Sequence, residues 1–122
     1  ADNPFMTVAE RAAAPLLPGL PPRDPDAPGQ FAFADPGKVR AILSASGWTG
    51  IDIAPLDAVC AMPEAELIRY FSQLGPVGNF LQQADPATRE KVVAAVRPAF
   101  DPFIEGDTVR FTAACWTVTA RA

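Results

Sequence analysis

Between Asp35 and Gly47 apolar residues recur at helical spacing, with Val39, Ile42, Leu43 and the Ala45/Ser46 pair on one side of the turn. Asp35 supplies a carboxylate that can cap the first free N–H groups, and Pro36 suits the first helical position because its missing N–H has no partner there. Gly47 can adopt the left-handed conformation that stops the helix. The period then changes to two: Ile51 and Ile53, flanked by Trp48 and Leu56, predict a strand ending at Pro55.

Helical spacing returns from Pro63, with Leu67, Phe71 and Leu74 as a stripe that Gly75-Pro76 interrupts. Val77, Phe80, Leu81 and Ala84 predict a further short helix. Asp85-Pro86 repeats the cap-and-proline start, and Val92, Val93, Val96 and Phe100 form the next apolar face. Upstream, Asn3-Pro4 opens a helix toward Leu17 in which Val8, Ala12 and Leu16 share a side. The terminal run from Thr108 to Ala120 has strand propensity and apolar residues on both faces, Val109, Phe111 and Cys115 against Trp116 and Val118, as in a strand buried on both sides.

The pattern predicts about five helices and an antiparallel strand pair, an α+β arrangement when taken alone. Residues 1–34 form a helix and a proline-rich loop with the character of a lid, 35–56 a helix and strand, 62–104 a helical insertion, and 107–121 the terminal strand. Two strands make only a marginal sheet, so residues 1–122 read as a single incomplete domain whose strands need further partners.

Composition narrows the chemistry. The 122 residues carry 14 acidic and 10 basic side chains in scattered positions, net −4, which disfavours nucleic acid. No apolar run reaches the ~20 residues of a membrane span, and the start shows neither a secretory leader nor an initiator methionine, as in a processed, trimmed or partial chain. A cytoplasmic setting is expected, with Cys60 and Cys115 as two buried thiols. The absence of histidine removes most metal sites and the Ser-His and Cys-His nucleophilic pairs within this chain.

Several phrases resemble the C-terminal half of class I S-adenosylmethionine-dependent methyltransferases. They are Phe31-Ala32-Phe33-Ala34-Asp35-Pro36, Val39-Arg40-Ala41-Ile42-Leu43, Gly47-Trp48, Leu74-Gly75-Pro76-Val77 and the closing Trp116-Thr117-Val118-Thr119-Ala120. Asn3-Pro4-Phe5-Met6 is similar to the stretch after the fifth strand in one bacterial branch of that family. The resemblance implies an α/β fold, the C-terminal portion of a Rossmann-like methyltransferase, in which an antiparallel strand pair ends a parallel sheet.

It also implies what is missing. The family's cofactor turn needs two glycines two apart, and no such pair occurs here. Gly75-Pro76-Val77-Gly78 is spaced differently, and Pro76 removes an amide that a phosphate cradle would use. No catalytic, cofactor-binding or metal residue is therefore assigned. S-adenosylmethionine belongs to the parent enzyme, with none expected to bind this chain alone.

In that family the acceptor is aligned by elements added to the common core. Phe5, Met6, Phe31, Tyr70, Asn79 and Phe80 are the candidates for an apolar acceptor pocket with Asn79 or Tyr70 as polar handles. Phe71 reads as plain core, and Tyr70, its neighbour, must face elsewhere. Asp52 and Asp57 fit an exposed strand face, Glu64 and Arg69 a solvated helix face, and Trp48 and Trp116 anchors between helices and sheet.

The expected function is the acceptor-side part of a methyltransferase for a small molecule, inactive alone; the alternative is a non-catalytic module that binds a small ligand or a protein. An open apolar strand edge further predicts a homodimer or larger assembly, without nucleic acid or membrane as partner.

Overall fold

The computed structural model describes residues 3–20, 24 and 27–122. Among them are helices α1 (Pro4–Ala13), α2 (Pro36–Ala45), α3 (Leu67–Gln73), α4 (Gly75–Gln83) and α5 (Pro86–Val96). The strands are β1 (Thr49–Pro63), β2 (Ile104–Glu105) and β3 (Thr108–Arg121), and short 3-10 segments cover Glu64–Glu66 and Arg97–Phe103. The chain is thus mixed α+β with one three-stranded antiparallel sheet, in the order β1-β3-β2. Much of the proline-rich loop expected to act as a lid (residues 21–23, 25 and 26) lies outside the described residues.

Local sequence explains most of the element boundaries. The Asp35 carboxylate accepts from Gly37 N at 2.8 Å, and Gly47 ends α2 with φ of 87°. At that end Trp48 N reaches back to Leu43 O at 3.0 Å, which satisfies a terminal carbonyl. Asp85 caps α5 in the same way, accepting from Thr88 N at 2.9 Å. Asn3 does not follow this pattern, because no side-chain bond caps α1; its main-chain carbonyl receives Met6 N and Thr7 N instead. That helix also stops at Ala13 rather than Leu17, since Pro15 brings no N–H to continue it.

Two strand features differ from the pattern. β1 runs past Pro55 to Pro63, giving a strand of 15 residues. Proline is tolerated there because β1 is an edge strand, where an N–H need not be donated. A two-residue turn led by Gly106, at φ of 66°, joins β2 to β3 with Glu105 opposite Thr108. Glu64 N donates to Asp107 O at one end of the β1–β3 pair and Thr49 Oγ1 to Arg121 O at the other, so these strands run in opposite directions.

The chain forms two compact units. The first comprises residues 1–21 and 58–113, and the second 22–57 and 114–122. In the first, Phe71 stacks on Phe100 with ring centroids 5.7 Å apart, and Phe111 meets Phe100 edge-on at 6.0 Å. Leu67, Val77, Leu81, Val92, Val96 and Val109 complete this core, all essentially inaccessible to water. α5 places Val92 and Val96 inside as its spacing predicts.

The second unit holds α2, the first part of β1 and the last part of β3, and none of its described residues is buried. This corrects the expectation of a terminal strand covered on both faces. Val109, Phe111 and Ala113 are buried, but from Cys115 through Thr119 the strand is exposed on both faces. Trp48 and Trp116 are exposed rather than packed as anchors, although Trp116 Nε1 donates to Ala34 O at 3.2 Å. Both cysteines are exposed as well, which corrects the expectation of two buried thiols.

Candidate functional site

Surface clefts among the described residues of the first unit include one of about 490 Å³ where β1 passes into the Glu64–Glu66 turn, with Pro63, Ala65 and Ile68 as apolar lining and Glu64, Arg97 and Asp107 as charged lining. Pro63 ends the strand and starts the helical turn, which brings Glu64 to the mouth. Arg97 follows α5 at the start of the second 3-10 segment, and its guanidinium bridges two carboxylates. Nη1 donates to Asp101 Oδ1 at 2.6 Å and Nη2 to Glu64 Oε1. Hydrogen bonding to Asp101 and then Glu64 holds the guanidinium above its ordinary pKa, so it stays charged.

A second cleft of about 380 Å³ has an apolar lining that includes Phe103, Phe111 and Val59, with the Glu105–Arg110 ion pair (3.1 Å) alongside. A third, about 240 Å³, shares Pro63 and Asp107 with the first. The sizes of the first two fall within the range of small-ligand sites. Their linings supply a fixed cation, carboxylates and apolar walls. Among the described residues no group of three or more His, Cys, Asp or Glu is placed to hold a metal ion.

The six acceptor-pocket candidates do not line these clefts. Two of them meet: the Tyr70 hydroxyl donates to Phe5 O at 2.7 Å, and the Phe5 ring lies 6.2 Å from that of Phe111. Burial, with a smaller contribution from nearby Cys60, raises the Tyr70 pKa above its ordinary value. The phenol is therefore a neutral tie between α1 and α3. Met6 is half-buried on α1. Asn79 and Phe80 lie on the exposed side of α4, whose buried residues are Val77, Gly78 and Leu81. Phe31 is half-buried in the second unit.

No sequence motif marks Arg97 or Asp107 as part of a site, and Glu64 reads in the sequence as an ordinary surface charge. Arg97 stands 33 residues from Glu64, and no local pattern reports that pairing. The one signal was positional: Glu64 follows a helix-starting proline, where its carboxylate is held close to the strand end. Among the described residues no helix is long and apolar enough to cross a membrane. Comparison of the chain with protein-family models, curated proteins and solved structures finds no match.

Proposed function

We propose that this chain is the C-terminal, acceptor-side part of a cytoplasmic S-adenosylmethionine-dependent methyltransferase of the Rossmann-like class, acting on a small molecule. Its cofactor-binding half lies in other polypeptide, and the chain alone is inactive. The observation that carries this reading is the second unit, in which a capped helix and two long antiparallel strands bury no described residue. Elements of such regularity without a core fit a sheet that is completed from outside.

Methyl transfer is an in-line displacement from sulfonium to the acceptor, so the protein's main task is alignment. In this reading the clefts and the Phe5–Tyr70 region contribute walls to the acceptor side, and Arg97 fixes the Glu64 edge of the 490 Å³ cleft. Calorimetric titration of the 122-residue chain with S-adenosylmethionine is expected to give no binding heat. Micromolar affinity would overturn the assignment of the cofactor site to other polypeptide.

The 490 Å³ cleft favours a second reading, a non-catalytic module for a small polar ligand held beside the Arg97–Glu64 pair. Native mass spectrometry of protein isolated from cells tests it. A stoichiometric small molecule retained by the wild-type chain and lost in Arg97→Met supports the module, and ligand-free chains count against it.

A further inference from the structure

The 380 Å³ cleft of the first unit joins a rigid apolar lining to an ion pair that is only half used. Phe111, 3% exposed, has its ring 5.2 Å from that of Phe103 and is backed by Phe100 at 6.0 Å and Phe5 at 6.2 Å. Rings held in this way leave little to reorganise when an apolar group enters. Pro4 and Val59 extend the apolar lining, and Val59 is 72% exposed, a large apolar side chain standing in water at the cleft.

The hairpin sets the polar side. Glu105 on β2 stands opposite Thr108, so Arg110 on β3 is its diagonal neighbour on the same sheet face. Arg110 Nε donates to Glu105 Oε2 at 3.1 Å, and neither side chain has a further hydrogen bond or ion pair to a described residue. Both Nη groups of Arg110 and Oε1 of Glu105 therefore stay open. The Arg110 side chain is 50% exposed and that of Glu105 71%, so a ligand in the cleft can reach both.

We propose that this cleft binds a free α-amino acid with a large apolar side chain. Its carboxylate takes the Nη pair of Arg110 in a fork of two parallel hydrogen bonds. Its ammonium donates to Glu105 Oε1, and its side chain covers Phe103, Phe111 and Val59.

Charge selects the zwitterion. Glu105 and Arg110 are neutral as a pair, so a simple carboxylate is attracted by one and repelled by the other, and a simple amine the reverse. An amino acid presents both charges from one carbon and satisfies both ends of the pair. Size points the same way, because about 380 Å³ is near the small end of ligand sites. The cleft shares no lining residue with the Arg97 cleft, and the proposal does not depend on the reaction assigned above.

Amide NMR titration of the 122-residue chain with L-phenylalanine tests it. Shifts are expected to saturate and to concentrate at Val59, Phe103, Glu105, Arg110 and Phe111. Glycine, which lacks the apolar side chain, should bind at least about tenfold more weakly. N-acetyl-L-phenylalanine and L-phenylalanine amide each lack one charge, and each should also lose about tenfold. Two conservative variants separate recognition from structure. Glu105→Gln should weaken L-phenylalanine about tenfold and bind the N-acetyl form no less tightly than the wild type does. Arg110→Gln should weaken L-phenylalanine to a similar degree and bind the amide no less tightly.

Absence of saturable shifts, shifts centred on Arg97, or a blocked form that binds as tightly as the free amino acid would overturn the proposal. So would a variant that weakens free and blocked forms alike. S-adenosylmethionine titration and ligand retention in Arg97→Met do not report on this cleft, so the readings fail separately.

Discussion

The Tyr70 hydroxyl and the Phe5 carbonyl, 65 residues apart in sequence, are joined by a 2.7 Å hydrogen bond that ties α3 to α1. Tyr70→Phe removes this second donor to the Phe5 carbonyl and leaves the ring in place. A loss of about 1 kcal/mol is expected in urea unfolding. The sign of the pH effect follows from the raised Tyr70 pKa. The phenol's contribution is complete below the unfolded value near 10.0 and is lost as pH rises through the folded one. Y70F should therefore show a flatter alkaline limb than the wild type.

Phe100 is the centre of the aromatic core, stacked on Phe71 and edge-on to Phe111. Phe100→Ala opens a cavity that rigid neighbours cannot fill. The expected loss is about 3–5 kcal/mol, read as a shift of the denaturant midpoint. Since no described residue of the second unit is buried, this single change should abolish most cooperative unfolding.

Gly78 sits where α4 returns against the end of α3, and a Cβ there would lie 2.5 Å from the main-chain carbon of Gln73. Alanine improves helix propensity by about 1 kcal/mol. The clash is with backbone rather than a movable side chain, so it wins. Gly78→Ala is expected to destabilise by about 1–3 kcal/mol and lower the melting temperature.

The Asp85 carboxylate accepts from the Thr88 hydroxyl at 2.6 Å and the Thr88 N–H at 2.9 Å, which lowers its pKa. The cap's contribution is present above the unfolded value near 3.8 and is lost as pH falls through the lower folded one. Asp85→Ala should unfold earlier than wild type at neutral pH, with the two curves converging in acid. Denaturant midpoints measured across that range check it.

Much of the fold is legible in short sequence signals. Asp35-Pro36 and Asp85-Pro86 start helices because an acceptor followed by a proline matches the free amides of a first turn. Gly47 and Gly75 break them with positive φ, and Leu67, Phe71, Val92 and Val96 enter the core at their helical spacing. The site was far less legible. Of the six pocket candidates, Phe5 and Tyr70 meet through a main-chain carbonyl that no side-chain pattern reports.

Local chemistry therefore sets where helices begin and end, because caps, prolines and glycines act within one turn. Tertiary structure decides which apolar stripes find cover. Val92 and Ile42 look alike in their helices, yet one is buried and the other 45% exposed. Trp116 and Phe111 share a strand, but only Phe111 has aromatic rings packed around it. The physical reason is that periodicity records which face of an element is apolar, whereas burial requires a second surface brought from a distant part of the chain or from another molecule.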